Sequence, residues 1–253
     1  MMEHISVSQM NVYLMCSLKY RYNYLDKLPK PIKPAELAMG SAMHSAVEWW
    51  HRHRMNGVNP GYEQVARIFA ADIQAQAMDE IRFKNGDDLE SLLAKGKELL
   101  AVYLKEFPGN KPESVEQQFR VPLIDLETGE DLKMPLDGYF DLIEADDTVV
   151  ELKTASKAYD QTTILQHLQL TAYAYAYQML HKRPANLRLD VLIKSKNVRM
   201  QSFEVARDTQ NMVRFFHIAK GVTRAIEDGH FYPNQGWQCP TCEYFGVCRK
   251  WRT

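Results

Sequence analysis

The chain has 253 residues, 45% of them hydrophobic and 25% charged, an ordinary globular composition able to bury a sizeable core. Its formal net charge of −1 excludes a uniformly basic nucleic-acid binder, so any such surface must be a local patch. No basic segment followed by an apolar stretch opens the chain, and no apolar run approaches the roughly 18 residues of a membrane span, so a cytoplasmic protein with no membrane partner is expected.

Ser6 or Ser8 is placed to cap a short helix carrying Tyr13, Leu14 and Cys16, which runs into Lys19-Tyr20-Arg21-Tyr22-Asn23-Tyr24. After a break at Pro29, Pro31 and Pro34, the spacing of Leu37, Met43, Val47 and Trp50 predicts a helix to about Met55. Two more helices are expected over 62–83 and 88–107, separated by Asn85-Gly86-Asp87 and closed by Pro108-Gly109. From Val115 the pattern turns to strands over 117–125, 132–144 and 148–153, with turns at Glu127-Thr128-Gly129-Glu130 and Asp146-Asp147. A long helix over 161–180, strands over 187–194 and 198–205, and a helix over 208–228 complete the order. This succession predicts an α/β fold in one domain, residues 1–253. A mixed β-sheet core over about 115–206 would be flanked by helices, with a helical insertion over about 57–110.

Between Asp125 and Glu151 stand ten acidic residues and one basic residue, Lys133. Asp137, Asp141, Glu151 and Lys153 differ from the rest because they lie inside apolar strand sequence. Asp137 and Asp141 are four apart, and Glu151 and Lys153 two apart, so each pair shares a strand face. If the strands pair through the Asp146-Asp147 turn, one aspartate meets Glu151 and Lys153. Two carboxylates at one spot repel; a divalent cation relieves that, and Mg²⁺ prefers oxygen ligands. Such an ion polarises a phosphate and acidifies water, while a lysine beside it orients that water or stabilises developing charge. A salt-bridged, exposed sheet edge is the alternative arrangement.

The four cysteines are Cys16 and the Cys239, Cys242, Cys248 trio, a C-x2-C-x5-C knuckle. By spacing they suit tetrahedral Zn²⁺ or a [4Fe–4S] cluster, and either would staple the amino terminus to the carboxyl terminus. Disulfides suit a cytosolic chain poorly.

Gly138-x-x-Asp141, nine residues, then Glu151-Leu152-Lys153 resembles the PD-(D/E)xK nuclease signature. It looks most like the RecB and AddB branch, which includes the CRISPR-associated RecB-like exonucleases. Gly40-Ser41-Ala42-Met43-His44 is similar to that branch's G-x-x-x-H motif, and Gln169-Leu170-Thr171-Ala172-Tyr173 to its Q-x-x-x-Y motif. The cysteine spacing is similar to its iron–sulfur staple, and all these pieces stand in the family's order.

The resemblance implies a restriction-endonuclease-like fold and a metal-dependent DNA exonuclease acting on single-stranded DNA or DNA ends, in repair, recombination or CRISPR adaptation. It implies Mg²⁺ or Mn²⁺ at His44, Asp141, Glu151 and the Leu152 carbonyl, with Lys153 positioning or activating water. Gln169 and Tyr173 would organise the substrate. It favours [4Fe–4S] at Cys16, Cys239, Cys242 and Cys248. Asp137, which follows Pro135-Leu136, competes with Asp141 as ligand, although the family's G-x-x-D favours Asp141. A non-catalytic DNA-end-binding subunit of a larger complex is the alternative function. A helicase or a CRISPR-adaptation protein is the partner implied, since the chain has no room for a helicase of its own.

Cations alternate with aromatics at Lys19, Tyr20 and Arg21, and Arg249 follows the last cysteine. This suits single-strand binding through phosphate attraction and base stacking. Lys194, Lys196 and Arg199 flank the last hairpin as a further candidate patch.

Overall fold

The computed structural model describes residues 2–30, 32–78, 80–83 and 86–252. Pro31 of the proline-rich break, Asp79 of the helix expected over 62–83, and Asn85 of the following turn lie outside the described residues.

The chain opens with helix α1 (Val7–Met15), the short α2 (Ser17–Tyr20) and a π-helical turn over Arg21–Leu25. A two-residue strand β1 (Lys33–Pro34) leads into α3 (Ala35–Met55) and α4 (Tyr62–Gln76). The two-residue β2 (Ile81–Arg82) pairs with β1 in parallel and precedes α5 (Leu89–Glu106). Then come β3 (Pro112–Ile124), β4 (Asp131–Glu144), β5 (Thr148–Ala155), α6 (Gln161–Leu165) and α7 (Leu168–His181). Strands β6 (Asn186–Ile193) and β7 (Arg199–Val205), helix α8 (Thr209–Glu227) and the short α9 (Phe245–Cys248) finish it.

Five strands form one mixed sheet in the order β3-β4-β5-β6-β7. Antiparallel β4 and β5 meet at Leu142↔Val150, parallel β5 and β6 at Lys153↔Val191, and antiparallel β6 and β7 at Leu189↔Phe203. The parallel pair requires a crossover, which α6 and α7 supply. Leu187–Ile193 of β6 is buried at every position, as expected of an inner strand covered on both faces. This mixed α/β arrangement, a sheet flanked by helices, fits the restriction-endonuclease-like expectation.

By compactness the chain forms two units. One comprises 1–32, 119–138 and 207–253; the other 33–118 and 139–206. In the first, Ser6 caps α1 and closes a box with Gln9, each side chain bonding the other's backbone N–H. Ile5 bridges Leu136 in parallel, and the Tyr13 hydroxyl donates to the His230 carbonyl at 2.8 Å. Gly138 lies under Phe119, whose ring carbon would stand 2.5 Å from any added Cβ.

In the second unit, α3, α4 and α5 pack through Met39, Met43, Val65, Phe69, Leu99 and Tyr103, with Leu152 of β5 in the same core. Asp88 caps α5 by accepting from Ser91 N–H at 2.8 Å. Behind that core, Arg188 donates to both oxygens of Glu144 at 2.8 Å and through Nε to Asp190. Gly109 approaches this buried network so closely that a Cβ there would lie 1.8 Å from Glu144 Oε1.

Three element boundaries differ from the sequence expectation. The helix expected over 62–83 ends at Gln76, capped by Ala77, and Ile81–Arg82 becomes extended by pairing with Lys33–Pro34. The helix expected over 161–180 is two helices, because His167 takes ψ 98° and breaks the helical run. Strand β3 starts at Pro112 rather than 117, which brings Glu116 into the sheet.

Candidate active site

Continuing the register Leu142↔Val150 by one residue sets Asp141 of β4 opposite Glu151 of β5. Opposed residues of an antiparallel pair share a sheet face, so the two carboxylates meet. Asp141 is pinned from two sides. Its Oδ1 accepts from the Tyr173 hydroxyl at 3.0 Å, and its Oδ2 from the Leu152 backbone N–H at 3.0 Å. His44, from the middle of α3, brings Nδ1 to 3.6 Å from Asp141 Oδ2. A Cβ at Gly40, one turn earlier, would meet Thr154 Oγ1 at an ordinary 3.6 Å.

Glu151 is 1% exposed, and its Oε1 pairs with the ammonium of Lys153, which is 37% exposed. The other oxygen, Oε2, is buried without a hydrogen-bond partner among the described residues. Gln169 of α7 hydrogen-bonds the Tyr173 hydroxyl. The sheet and the two helices α3 and α7 thus bring together His44, Asp141, Glu151, Lys153, Gln169 and Tyr173. Leu152 contributes its backbone N–H to the group, and its side chain is core.

Asp137 belongs to the first unit, where its Oδ2 lies 3.2 Å from Arg120 Nη1 and 3.8 Å from His4 Nδ1.

Glu116 of β3 was not among the residues expected. One ligand atom from each of His44, Glu116 and Asp141 lies within 4.8 Å of the others. Glu116 holds a left-handed φ of 49° inside a strand, a conformation that non-glycine residues rarely adopt. No residue type announces such a backbone, and the sequence signal for a strand becomes clear only after it.

The electrostatics follow from crowding carboxylates in a partly desolvated cleft. Burial, then the charge of Glu151, pushes Asp141 up to about 6 despite His44 and Lys153. Burial, then Asp141, raises Glu116 to about 7. Burial opposes the charged form of Lys153, but Glu151 and Asp141 outweigh it and raise the ammonium above its ordinary value. Two carboxylates and an imidazole around one point, with surplus negative charge, are a donor set suited to Mg²⁺ or Mn²⁺. The residues present fit such an ion.

The first unit holds the four cysteines, each half-buried and free of disulfides. Burial raises the Cys248 thiol, and so do the nearby thiols of Cys16, Cys242 and Cys239, so all four stand within electrostatic reach. Backbone N–H groups of Asn234 and Gly236 point at Cys16 Sγ and Cys239 Sγ at 3.4 Å. Gathered thiols with N–H donors fit a metal or iron–sulfur centre, whose positive charge relieves their mutual repulsion.

The aromatic and basic residues beside the cysteines divide. Tyr20 is buried against Phe231 and Tyr24 and has no open face for a base, which corrects its expected stacking role. Lys19 is paired with Glu243 at 2.9 Å, and Arg21 with Asp26 at 3.2 Å. Arg249 is exposed and lies over Phe245. The open aromatic surface belongs instead to Trp237, 85% exposed, and Tyr232, 60% exposed. In the second unit, Lys194 is half-buried just beyond β6, while Lys196 and Arg199 are exposed on the β6–β7 hairpin. Among the described residues no helix is long and apolar enough to cross a membrane.

None of the curated proteins compared matches the chain. Among solved structures, a protein from Eubacterium rectale provisionally named an exonuclease is similar with a TM-score of 0.63 and 14% identity, over 99% of this chain and 89% of that one. That likeness bears on the fold alone. A second structure, SSO0001, aligns over 97% of this chain and 94% of its own at 12% identity, but its TM-score of 0.37 carries no argument. The model of the PD-(D/E)XK nuclease superfamily matches residues 4–249, nearly the whole chain and every residue of the cleft. The chain belongs to the PD-(D/E)XK nuclease superfamily.

Proposed function

We propose that the chain is a metal-dependent DNA exonuclease of the RecB/AddB-like, iron–sulfur branch. It would hydrolyse phosphodiester bonds in single-stranded DNA or at DNA ends, in repair, recombination or CRISPR adaptation. The observation that carries this reading is the meeting of His44, Asp141, Glu151 and Lys153 on one face of the β4–β5 pair beside α3. The exonuclease name given to the similar Eubacterium rectale protein supports it.

His44, Asp141, Glu151 and the Leu152 carbonyl would hold Mg²⁺ or Mn²⁺, which when bound supplies Lewis-acid polarisation of the phosphate and a nucleophilic water at neutral pH. The chain's own residues do the rest. Lys153 keeps its proton beside Glu151 and offers positive charge to the phosphate as negative charge develops. Tyr173 and the Leu152 N–H hold Asp141 in one orientation, and Gln169 holds Tyr173. Cys16, Cys239, Cys242 and Cys248 carry a [4Fe–4S] cluster that serves as a staple of the first unit. Unwinding, where needed, comes from a partner helicase.

Digestion of end-labelled single- and double-stranded DNA with Mn²⁺, by the wild-type chain and by Lys153→Ala, tests this reading. Progressive shortening from an end by the wild type alone is expected. Binding of ends without cleavage of any substrate would replace it with a non-catalytic DNA-end-binding subunit.

A further inference from the structure

Helix α3 and the consecutive strands β3 and β4 bring His44, Glu116 and Asp141 to one point, with ligand atoms within 4.8 Å of one another. Glu116 reaches it from a position where β3 departs from regular extended geometry, φ 49°. Such a departure re-aims a side chain relative to its strand neighbours. The same cleft is lined by Glu48, one turn beyond His44, but Glu48 is engaged by Arg52 at 2.7 Å.

Glu151 gives one oxygen to Lys153, the cation of its own strand. Its second oxygen is buried and unpartnered. Both oxygens of Asp141 already accept one hydrogen bond each, which leaves each a lone pair. The donors at this point are therefore an imidazole nitrogen and oxygens from two carboxylates, a set that divalent cations take up.

We propose that Glu116 is a direct ligand of the divalent cation, bound together with His44 and Asp141. This rests on the reading of the cleft as the metal-dependent nuclease centre, and it adds a ligand from β3 that the motif residues do not include.

Mn²⁺ binding to the full chain, followed by the electron paramagnetic resonance of free Mn²⁺, tests it independently of cleavage. Glu116→Gln removes the charge at constant size, and Glu116→Asn offers a residue that tolerates the left-handed backbone. Both should weaken Mn²⁺ at least about tenfold and lose the Mn²⁺-induced rise in melting temperature, whereas Glu48→Gln should stay within about twofold of wild type. Glu116 variants that fold and bind Mn²⁺ as the wild type does overturn the proposal. So does a wild-type chain that binds no Mn²⁺. Glu116-dependent binding without cleavage of any DNA would sink the nuclease reading and leave the ligand assignment standing. Cleavage with Glu116-independent binding would do the reverse.

Discussion

The hydroxyl of Tyr173 donates to Asp141 Oδ1 at 3.0 Å, so a helix on one face of the sheet fixes the carboxylate of a strand. Removing that hydroxyl while keeping the ring separates its polar contacts from packing, because the ring also packs edge-on against Phe140 with centroids 5.2 Å apart. Tyr173→Phe is expected to cost about 1–3 kcal/mol of stability, the net worth of its hydrogen bonds with Asp141 and Gln169. It should also weaken Mn²⁺ binding and cleavage about tenfold, as loss of a ligand's supporting contact does. Melting curves and Mn²⁺ titrations separate the two effects. A variant that loses stability and binds Mn²⁺ as tightly as wild type would reduce Tyr173 to a packing residue.

Lys153 and Glu151 form a pair in which only the lysine reaches solvent. Lys153→Met leaves the Glu151 carboxylate buried and uncompensated, at a cost of about 1–3 kcal/mol. Lys153→Met with Glu151→Gln removes the stranded charge and should recover most of that stability. Neither variant is expected to cleave DNA. Chemical denaturation without metal and cleavage assays together check this. Stability equal to wild type in the single variant would mean that solvent already compensates Glu151.

Burial, then the thiol of Cys16, far away in sequence, raises the Cys248 thiol's cost of ionisation. An iron–sulfur centre that relieves this should be lost on Cys248→Ser. Anaerobically purified wild type is expected to be brown with stoichiometric iron and sulfide, and the variant colourless. Proteolysis of the variant should begin near the 231–252 segment, whose contacts include Leu18 N–H to the Tyr232 carbonyl and Lys19 to Glu243. Zinc in place of iron in the wild type would reject the cluster and keep the staple.

The meeting of Asp141 with Glu151 was legible in the sequence because strand alternation and a short Asp146-Asp147 turn leave little choice of register. His44 joined them only through a motif, since nothing in an apolar helix says which of three nearby histidines faces the sheet. Glu116 was not legible at all, for it stands at the start of the strand pattern with a backbone angle that glutamate does not favour. The helix break at His167 was hidden for a similar reason, as no proline or glycine marks it. Tyr20 misled because alternation of cations and aromatics reads the same for a wet surface and for a ring buried on Phe231.

His51, which lines the same cleft as His44 and Asp141, offers a pH test to be run without metal. It is 1% exposed, with Nε2 2.8 Å from the Tyr103 hydroxyl and Nδ1 3.3 Å from Arg54. Burial first, then the charges of Arg54 and Arg188, lower its pKa from 6.5 to about 3. The folded chain therefore keeps this imidazole neutral where the unfolded chain protonates it. Its contribution is complete above 6.5 and is lost as the pH falls towards 3, at up to about 1.4 kcal/mol per pH unit. His51→Gln can still donate to Tyr103 and accept from Arg54, but it does not titrate. Urea denaturation across this window should show a shallower loss of stability in the variant. Parallel curves for the two proteins would mean that His51 is protonated in the folded chain and that its burial is compensated.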